Sequence, residues 1–115
     1  MGNTIFSKII NREIPAKIIY ETDNILAFYD INAQAPTHVL IIPKVEIPTI
    51  LDFNKNKHSE LLVEMFEAAI EIARKEKIDR TGFRLVINCN SEGGQEVYHL
   101  HMHILGGRQM NWPPG

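Results

Sequence analysis

The sequence predicts an α+β domain whose strands pair antiparallel. Three observations predict it. Runs of strand character are joined by short turns rather than by helices, one long segment carries apolar residues at helical spacing, and the order reads short helix, three strands, long helix, two strands. At 115 residues the chain is one domain. A domain of this size buries less of its surface than a larger one, so association with a second copy would help it.

The elements follow in order. Thr4 caps a short helix with Ile5, Phe6, Ile9 and Ile10 on one side, ended by Pro15. Lys17 to Tyr20 is a first strand, and Glu21-Thr22-Asp23-Asn24 is a turn. Ile25 to Asp30 is a second strand. Ile31 to Pro36 is a loop whose proline forces an extended entry into a third strand, His38 to Ile42, nearly all apolar and therefore central. Pro43 and Pro48 break the next stretch. His58 to Ile78 is the long helix, capped by Ser59 or Asn56. Its apolar stripe is Leu62, Met65, Phe66, Ala69, Ile72 and Ala73, and Glu60, Glu64, Glu67, Glu71, Lys75 and Lys77 suit a solvated face. That stripe has the spacing that packing requires. Thr81-Gly82 ends the segment. Phe83 to Asn88 is a fourth strand, Cys89 to Gln95 a polar loop, and Tyr98 to Leu105 a fifth strand.

Composition narrows the function classes. Hydrophobic residues at 44% and charged residues at 23% are those of a globular protein. A net charge of −2 without a basic cluster argues against a phosphate-tracking nucleic-acid surface. The single cysteine, Cys89, excludes an internal disulfide framework, fits a reducing compartment, and reads as a packed thiol rather than a nucleophile. Met1-Gly2-Asn3-Thr4-Ile5-Phe6 lacks the pattern of a secretory leader, and Phe6 breaks the acylation pattern at Gly2. No apolar run approaches a membrane span. These features place the expected location in the cytoplasm.

Three of the five histidines fall in His99-Leu100-His101-Met102-His103. Alternation at period two sends all three imidazoles to one face of a strand, with Leu100, Met102 and Ile104 turned into a core. Three readings follow: a solvated polar face, a metal site, or catalysis by imidazole itself. Solvated faces favour Lys, Glu and Thr. Alternate strand residues lie roughly 6.5–7 Å apart along the backbone, which fits three ligands of one tetrahedral ion poorly. In the third reading one imidazole is a nucleophile while its neighbours hold phosphate oxygens and move protons. Asn88-Cys89-Asn90-Ser91-Glu92-Gly93-Gly94-Gln95 leads into this run. It is no P-loop, since no lysine follows the glycines, yet Gly93-Gly94 lets backbone N–H groups approach an anion, and a hairpin loop accounts for the pair equally well.

The run His99 to Leu105 matches His-φ-His-φ-His-φ-φ and resembles the signature of the histidine triad (HIT) family. Gly94 to Tyr98 before it and Gly106 to Gly115 after it are similar to the histidine triad nucleotide-binding (Hint) branch. So are Ile5 to Ile10, Glu13 to Lys17, Asp30-Ile31, Ala35 to His38 and Ile42 to Lys44. His103 stands where the uridylyltransferase branch has glutamine, and the Gly-Gly-Arg-Gln-Met-Asn-Trp-Pro-Pro-Gly ending is not shared by the dinucleoside polyphosphate hydrolases. The resemblance implies a HIT-like fold with a five-stranded antiparallel sheet, one long and one short helix, and a sheet continued across a homodimer.

It also implies a purine nucleoside phosphoramidase that hydrolyses adenosine 5′-monophosphoramidates and aminoacyl-adenylates to AMP, needing no metal and no cofactor. On this chain the resemblance makes His101 the nucleophile that forms a nucleotidyl-histidine. It gives His103 a phosphate oxygen and the leaving group, and makes His99, backed by His38, the pair that fixes the His101 tautomer. Asp30 takes the ribose hydroxyls, Asn88 and the backbone at Gly94 and Glu96 take phosphate, and Ile5, Phe6, Ile9, Ile31 and Leu40 form the slot for the base. Glu96 and Glu46 depart from many relatives, which have a small hydroxyl residue and a histidine there. The same resemblance docks Trp112-Pro113-Pro114-Gly115 near the dimer interface and the other subunit's site. The alternatives are a nucleotide-binding regulator with incidental hydrolysis, a dinucleoside polyphosphate hydrolase and a histidine metal module.

Overall fold

Thr4 opens the first helix, α1 (Ile5–Ile10), by accepting the Ser7 N–H on its side-chain oxygen at 3.1 Å. The computed structural model describes residues 3–115; the leader and acylation reading of Met1-Gly2 lies outside them. The helix stops at Asn11, well before Pro15. Arg12 is left-handed (φ 63°), its N–H bonds the Ile9 carbonyl at 3.1 Å, and the Glu13 N–H bonds the Lys8 carbonyl at 2.8 Å. That pair of bonds is a Schellman stop, which ordinarily uses glycine. Arginine in that position gives no sequence signal.

The long helix repeats the pattern. It is α2 (Lys55–Lys75), one turn earlier at its start than the sequence suggested, because Asn54 rather than Ser59 or Asn56 caps it by accepting the Asn56 and Lys57 N–H groups. It ends before Ile78, where Lys77 is left-handed (φ 60°), its N–H bonds the Arg74 carbonyl at 3.1 Å and the Ile78 N–H bonds the Ala73 carbonyl at 2.9 Å. Between Pro48 and α2 a single 3-10 turn, Ile50–Asp52, carries a capping box from Thr49.

Five strands form one sheet: β1 (Ile18–Glu21), β2 (Ile25–Tyr29), β3 (Thr37–Pro43), β4 (Phe83–Val86) and β5 (Met102–Gly106), in the order β1-β2-β3-β5-β4. Every neighbouring pair is antiparallel, as expected from the turns. β3 is central and buried at every residue, because helices cover both faces of the sheet.

The alternation of β2 and β3 divides the core in two. Ile25, Ala27, Val39 and Ile41 face α2 and pack on Leu61, Met65, Ala68, Ala69, Ile72 and Ala73. Leu26, Phe28, Leu40 and Ile42 face α1 and pack on Phe6 and Ile9. Fully burying a side chain such as Met65 or Ile72 is worth about 1.5–3 kcal/mol, and the α2 face holds the larger of the two clusters. Of the predicted stripe Met65, Ala69, Ile72 and Ala73 are core, while Leu61 and Ala68 replace Leu62 and Phe66, the latter 45% exposed.

Two segments differ from their expected form. The loop after β4 contains a helical turn, α3 (Asn90–Gly93), closed by left-handed Gly94 (φ 82°). The histidine strand is shorter than Tyr98–Leu105. Its ladder to β3 begins at Met102, opposite Ile41, and the preceding Leu100 N–H turns to the Ile47 carbonyl at 2.6 Å. Pro43 at the end of β3 has no N–H to extend the ladder.

Candidate active site

β3 and β5 bring the histidines together on the α1 side of the sheet. In the β3–β5 register Leu40 faces His103 and His38 faces Leu105. His38 shares its parity with Leu40 and Ile42, and so reaches His103 diagonally. Although His99 and His101 precede β5, the alternation persists through them. Leu100, Met102 and Ile104 enter the α2-side core, and Phe6 of α1 meets the rings of His99 at 6.2 Å and His101 at 5.0 Å. His101 and His103 are neighbours, with ring centroids 5.1 Å apart.

Hydrogen-bond partners assign each tautomer. Nδ1 of His101 lies 2.8 Å from the His99 carbonyl, which can only accept, so Nδ1 carries the proton and Nε2 keeps its lone pair. Nδ1 of His38 accepts the Gln34 N–H at 3.0 Å, so its proton is on Nε2, which donates to Nδ1 of His103 at 2.9 Å. His103 is therefore protonated on Nε2, a buried N–H with no partner among the described residues. Nε2 of His99 donates to the Pro43 carbonyl at 2.7 Å, which leaves its buried Nδ1 unpartnered.

The expected arrangement of the positioning histidine is corrected here. His38 backs His103, not His99, and it is the His99 main chain, not its ring, that holds the His101 tautomer. The cause is register: His38 lies one diagonal step from His103, while His99 has left the ladder and bonds at the far end of β3.

Burial keeps these rings neutral. It pulls His38, His99 and His101 below the ordinary histidine value, against raising influences from Asp30 at His38 and from backbone carbonyls at His99 and His101. His103 drops furthest, to about 4, through burial and then the neighbouring His101 and His38. Asp30 directly follows β2, with one oxygen accepting the Asn32 N–H at 2.8 Å and the other 3.5 Å from Nε2 of His38.

These groups border a cleft of about 310 Å³. All nine expected nucleotide contacts line it: Ile5, Phe6, Ile9, Asp30, Ile31, Leu40, Asn88, Gly94 and Glu96, together with His101 and His103. His38 and His99 stand behind that lining. The sequence reading missed Phe28, Ile14 and Val97, which also line it. Phe28 had a signal, since it shares β2 parity with Leu26 and so faces α1. Gln95 was missed too. It is buried, takes the Asn90 N–H on its side-chain oxygen at 3.0 Å, and donates to the Pro48 and Val97 carbonyls at 2.8 and 3.1 Å, which sets the shape of the loop before the histidines. Trp112, expected to be docked, is 82% exposed on its own chain, with the Arg84 guanidinium 5.9 Å over its ring.

Among the described residues one grouping has metal-ligand spacing, Asp30, His38 and His103, whose donor atoms lie within 4.8 Å of one another. Both ring nitrogens of His38 and Nδ1 of His103 are already in the hydrogen-bond chain.

Comparison with known proteins adds a family. The HIT domain family matches residues 11–110. The chain is 54% identical over 107 residues to a purine nucleoside phosphoramidase of Escherichia coli (strain K12), covering 93% of this chain and 89% of that protein. It is 52% identical over 113 residues to a 14 kDa zinc-binding protein of Zea mays, covering 97% and 88%. The crystal structure of a HIT family hydrolase from Legionella pneumophila Philadelphia 1 superposes with a TM-score of 0.95 at 57% identity, over 98% of this chain and 100% of that one.

Proposed function

This chain belongs to the HIT domain family, and from that premise we propose that it is a purine nucleoside phosphoramidase that releases AMP through a covalent nucleotidyl-His101 intermediate. Its substrates are adenosine 5′-monophosphoramidates and aminoacyl-adenylates. One arrangement carries the reading. A neutral imidazole with its free lone pair on Nε2 stands beside a second imidazole whose Nε2–H has no partner among the described residues, and both rings line one cleft.

The chemistry follows from those two nitrogens. Nε2 of His101 attacks phosphorus, which its depressed basicity permits because the lone pair is not protonated at neutral pH. The Nε2–H of His103 donates to a phosphate oxygen as negative charge develops there. The bond from phosphorus to the leaving group breaks: the nitrogen of a phosphoramidate leaves as an amine with a proton taken from solvent, and an aminoacyl-adenylate leaves as the amino-acid carboxylate by cleavage of its P–O bond. Water then cleaves the bond between phosphorus and His101 and releases AMP. Phe6, Ile9, Phe28 and Leu40 offer the purine an apolar slot, Asp30 is positioned for the ribose hydroxyls, and Asn88 and the backbone at Gly94 for phosphate.

The relative named for zinc raises a metal reading. Ligation needs lone pairs, and here the lone pair of His38 accepts the Gln34 N–H while that of His103 Nδ1 accepts from His38. That use of the nitrogens favours imidazole chemistry.

A homodimer belongs to the same proposal. Val63, Phe66 and Ile70 lie exposed on α2 at three- and four-residue steps, and β4 is an open edge of the sheet carrying half-exposed Phe83. A second copy pairing β4 with β4 covers both and continues the sheet. We place the protein in the cytoplasm, without a nucleic-acid or membrane partner. The net charge of −2 supports this, and among the described residues no helix is long and apolar enough to cross a membrane.

The test is intact-protein mass spectrometry during turnover of an adenosine phosphoramidate after chelator treatment, for wild type and His101→Ala. A transient AMP adduct on wild type alone, with turnover lost in the variant, is expected. Retained AMP binding without adduct or turnover in wild type would make the chain a nucleotide-binding regulator instead.

A further inference from the structure

Among the described residues the cleft lining holds two carboxylates, Asp30 and Glu96, and neither lysine nor arginine. Its two histidines are held neutral by burial. A site for a phosphoryl group without a fixed cation is unusual, because cationic clamps are the common way to bind phosphate. The two carboxylates are not equivalent. Asp30 is engaged, by the Asn32 N–H at 2.8 Å and at 3.5 Å from His38. Glu96 is exposed and, among the described residues, makes no hydrogen bond or ion pair.

Glu96 is nonetheless well placed. The buried side chain of Gln95 ties the backbone on both sides of it, to Asn90 behind and to Val97 ahead. Its charge is thus carried on an anchored segment at the wall that also presents Gly94 and Val97 to the cleft.

Resting on the phosphoramidase reading, we propose that Glu96 is a specificity-determining residue that selects the charge of the leaving group, favouring leaving amines that carry a second, cationic centre and rejecting anionic ones. A carboxylate at the cleft wall attracts a neighbouring ammonium and repels a carboxylate or further phosphate. With no cation in the lining to offset it, that preference is felt by whatever extends beyond the α-phosphorus. Nucleoside polyphosphates and their dinucleotides are disfavoured for the same reason.

The test uses three adenosine phosphoramidates of matched size, built on ethylenediamine, propylamine and β-alanine, so that the leaving group ends in an ammonium, a methyl and a carboxylate. At low ionic strength kcat/KM falls in that order, with about tenfold between the ends, and the spread shrinks as salt is added. Glu96→Gln brings the cationic-to-anionic ratio towards one. Glu92→Gln, a change at an exposed carboxylate on α3 outside the cleft lining, leaves the ratio as in wild type. The ratio is the readout rather than the absolute rate. Turnover of all three with a ratio near one in wild type, or a ratio unchanged in Glu96→Gln, overturns the selector while the phosphoramidase reading stands. Turnover of none of the three overturns both.

Discussion

Nε2 of His38 donates to Nδ1 of His103 at 2.9 Å, and the proton between them belongs to His38 because the Gln34 N–H occupies its other nitrogen. A main-chain group on the loop between β2 and β3 thereby sets the protonation of a ring on β5, two hydrogen bonds away. The consequence is a buried N–H on His103, the donor that the proposed mechanism assigns to a phosphate oxygen.

In the proposed mechanism His38 is accordingly a positioning residue. His38→Ala frees His103 to protonate on either nitrogen, and kcat falls by about tenfold to a hundredfold with KM less affected, toward the lower range of losses seen for acid–base groups. His38→Gln, whose amide can still donate to Nδ1, recovers part of the rate. Nitrogen NMR of the His103 ring distinguishes this from a packing defect: a mixture of tautomers appears in the alanine variant and a single one in wild type.

The depressed histidines link stability to pH. His103 binds a proton near pH 6.5 when unfolded but only near about 4 when folded, so below pH 6.5 the unfolded chain binds more protons. Stability is complete above pH 6.5 and is lost as pH falls from there toward about 4, with His38, His99 and His101 acting in the same direction. Urea midpoints across this window fall for wild type and fall less steeply for His103→Gln. A flat midpoint would sink the idea. Turnover declines on the same acid side, as protonation removes the lone pair of His101.

Gly106 at the end of β5 has no room for a side chain. A Cβ there would lie 2.6 Å from Cδ1 of Ile78 and 3.2 Å from its Cβ and Cγ2. Gly106→Ala is expected to cost about 1–3 kcal/mol in urea unfolding. Ile78→Ala creates a cavity of its own, yet the double variant is less destabilised than the sum of the two. Additive losses would refute a clash between these residues.

The exposed α2 stripe predicts how a dimer is broken. Phe66→Glu places a charge among Val63 and Ile70 and shifts sedimentation from dimer to monomer, while Glu67→Gln, on the same exposed side of the chain, does not. A wild-type monomer at micromolar concentration would remove the interface altogether.

Period-two and period-3.6 patterns were sufficient for the five strands and the two principal helices, whereas the residues of the cleft came from the family resemblance and not from periodicity. Burial leaves its trace in which positions are apolar, and the His-φ-His-φ-His run has few other physical uses. The helix ends were not legible, because Arg12 and Lys77 take left-handed positions that glycine usually marks. Nor was the start of β5, since a ladder ends where its partner ceases to donate, and Pro43 is that partner.

The sequence by itself determined that three imidazoles would share one side of the sheet, and its resemblance to a known family put an apolar slot and Asp30 near them. Only the tertiary structure decided which nitrogen of each ring carries a proton. That depends on main-chain groups distant in sequence, the Gln34 N–H and the His99 and Pro43 carbonyls, brought within hydrogen-bond reach by strand register. Tautomers are a property of partners, and partners are set by folding.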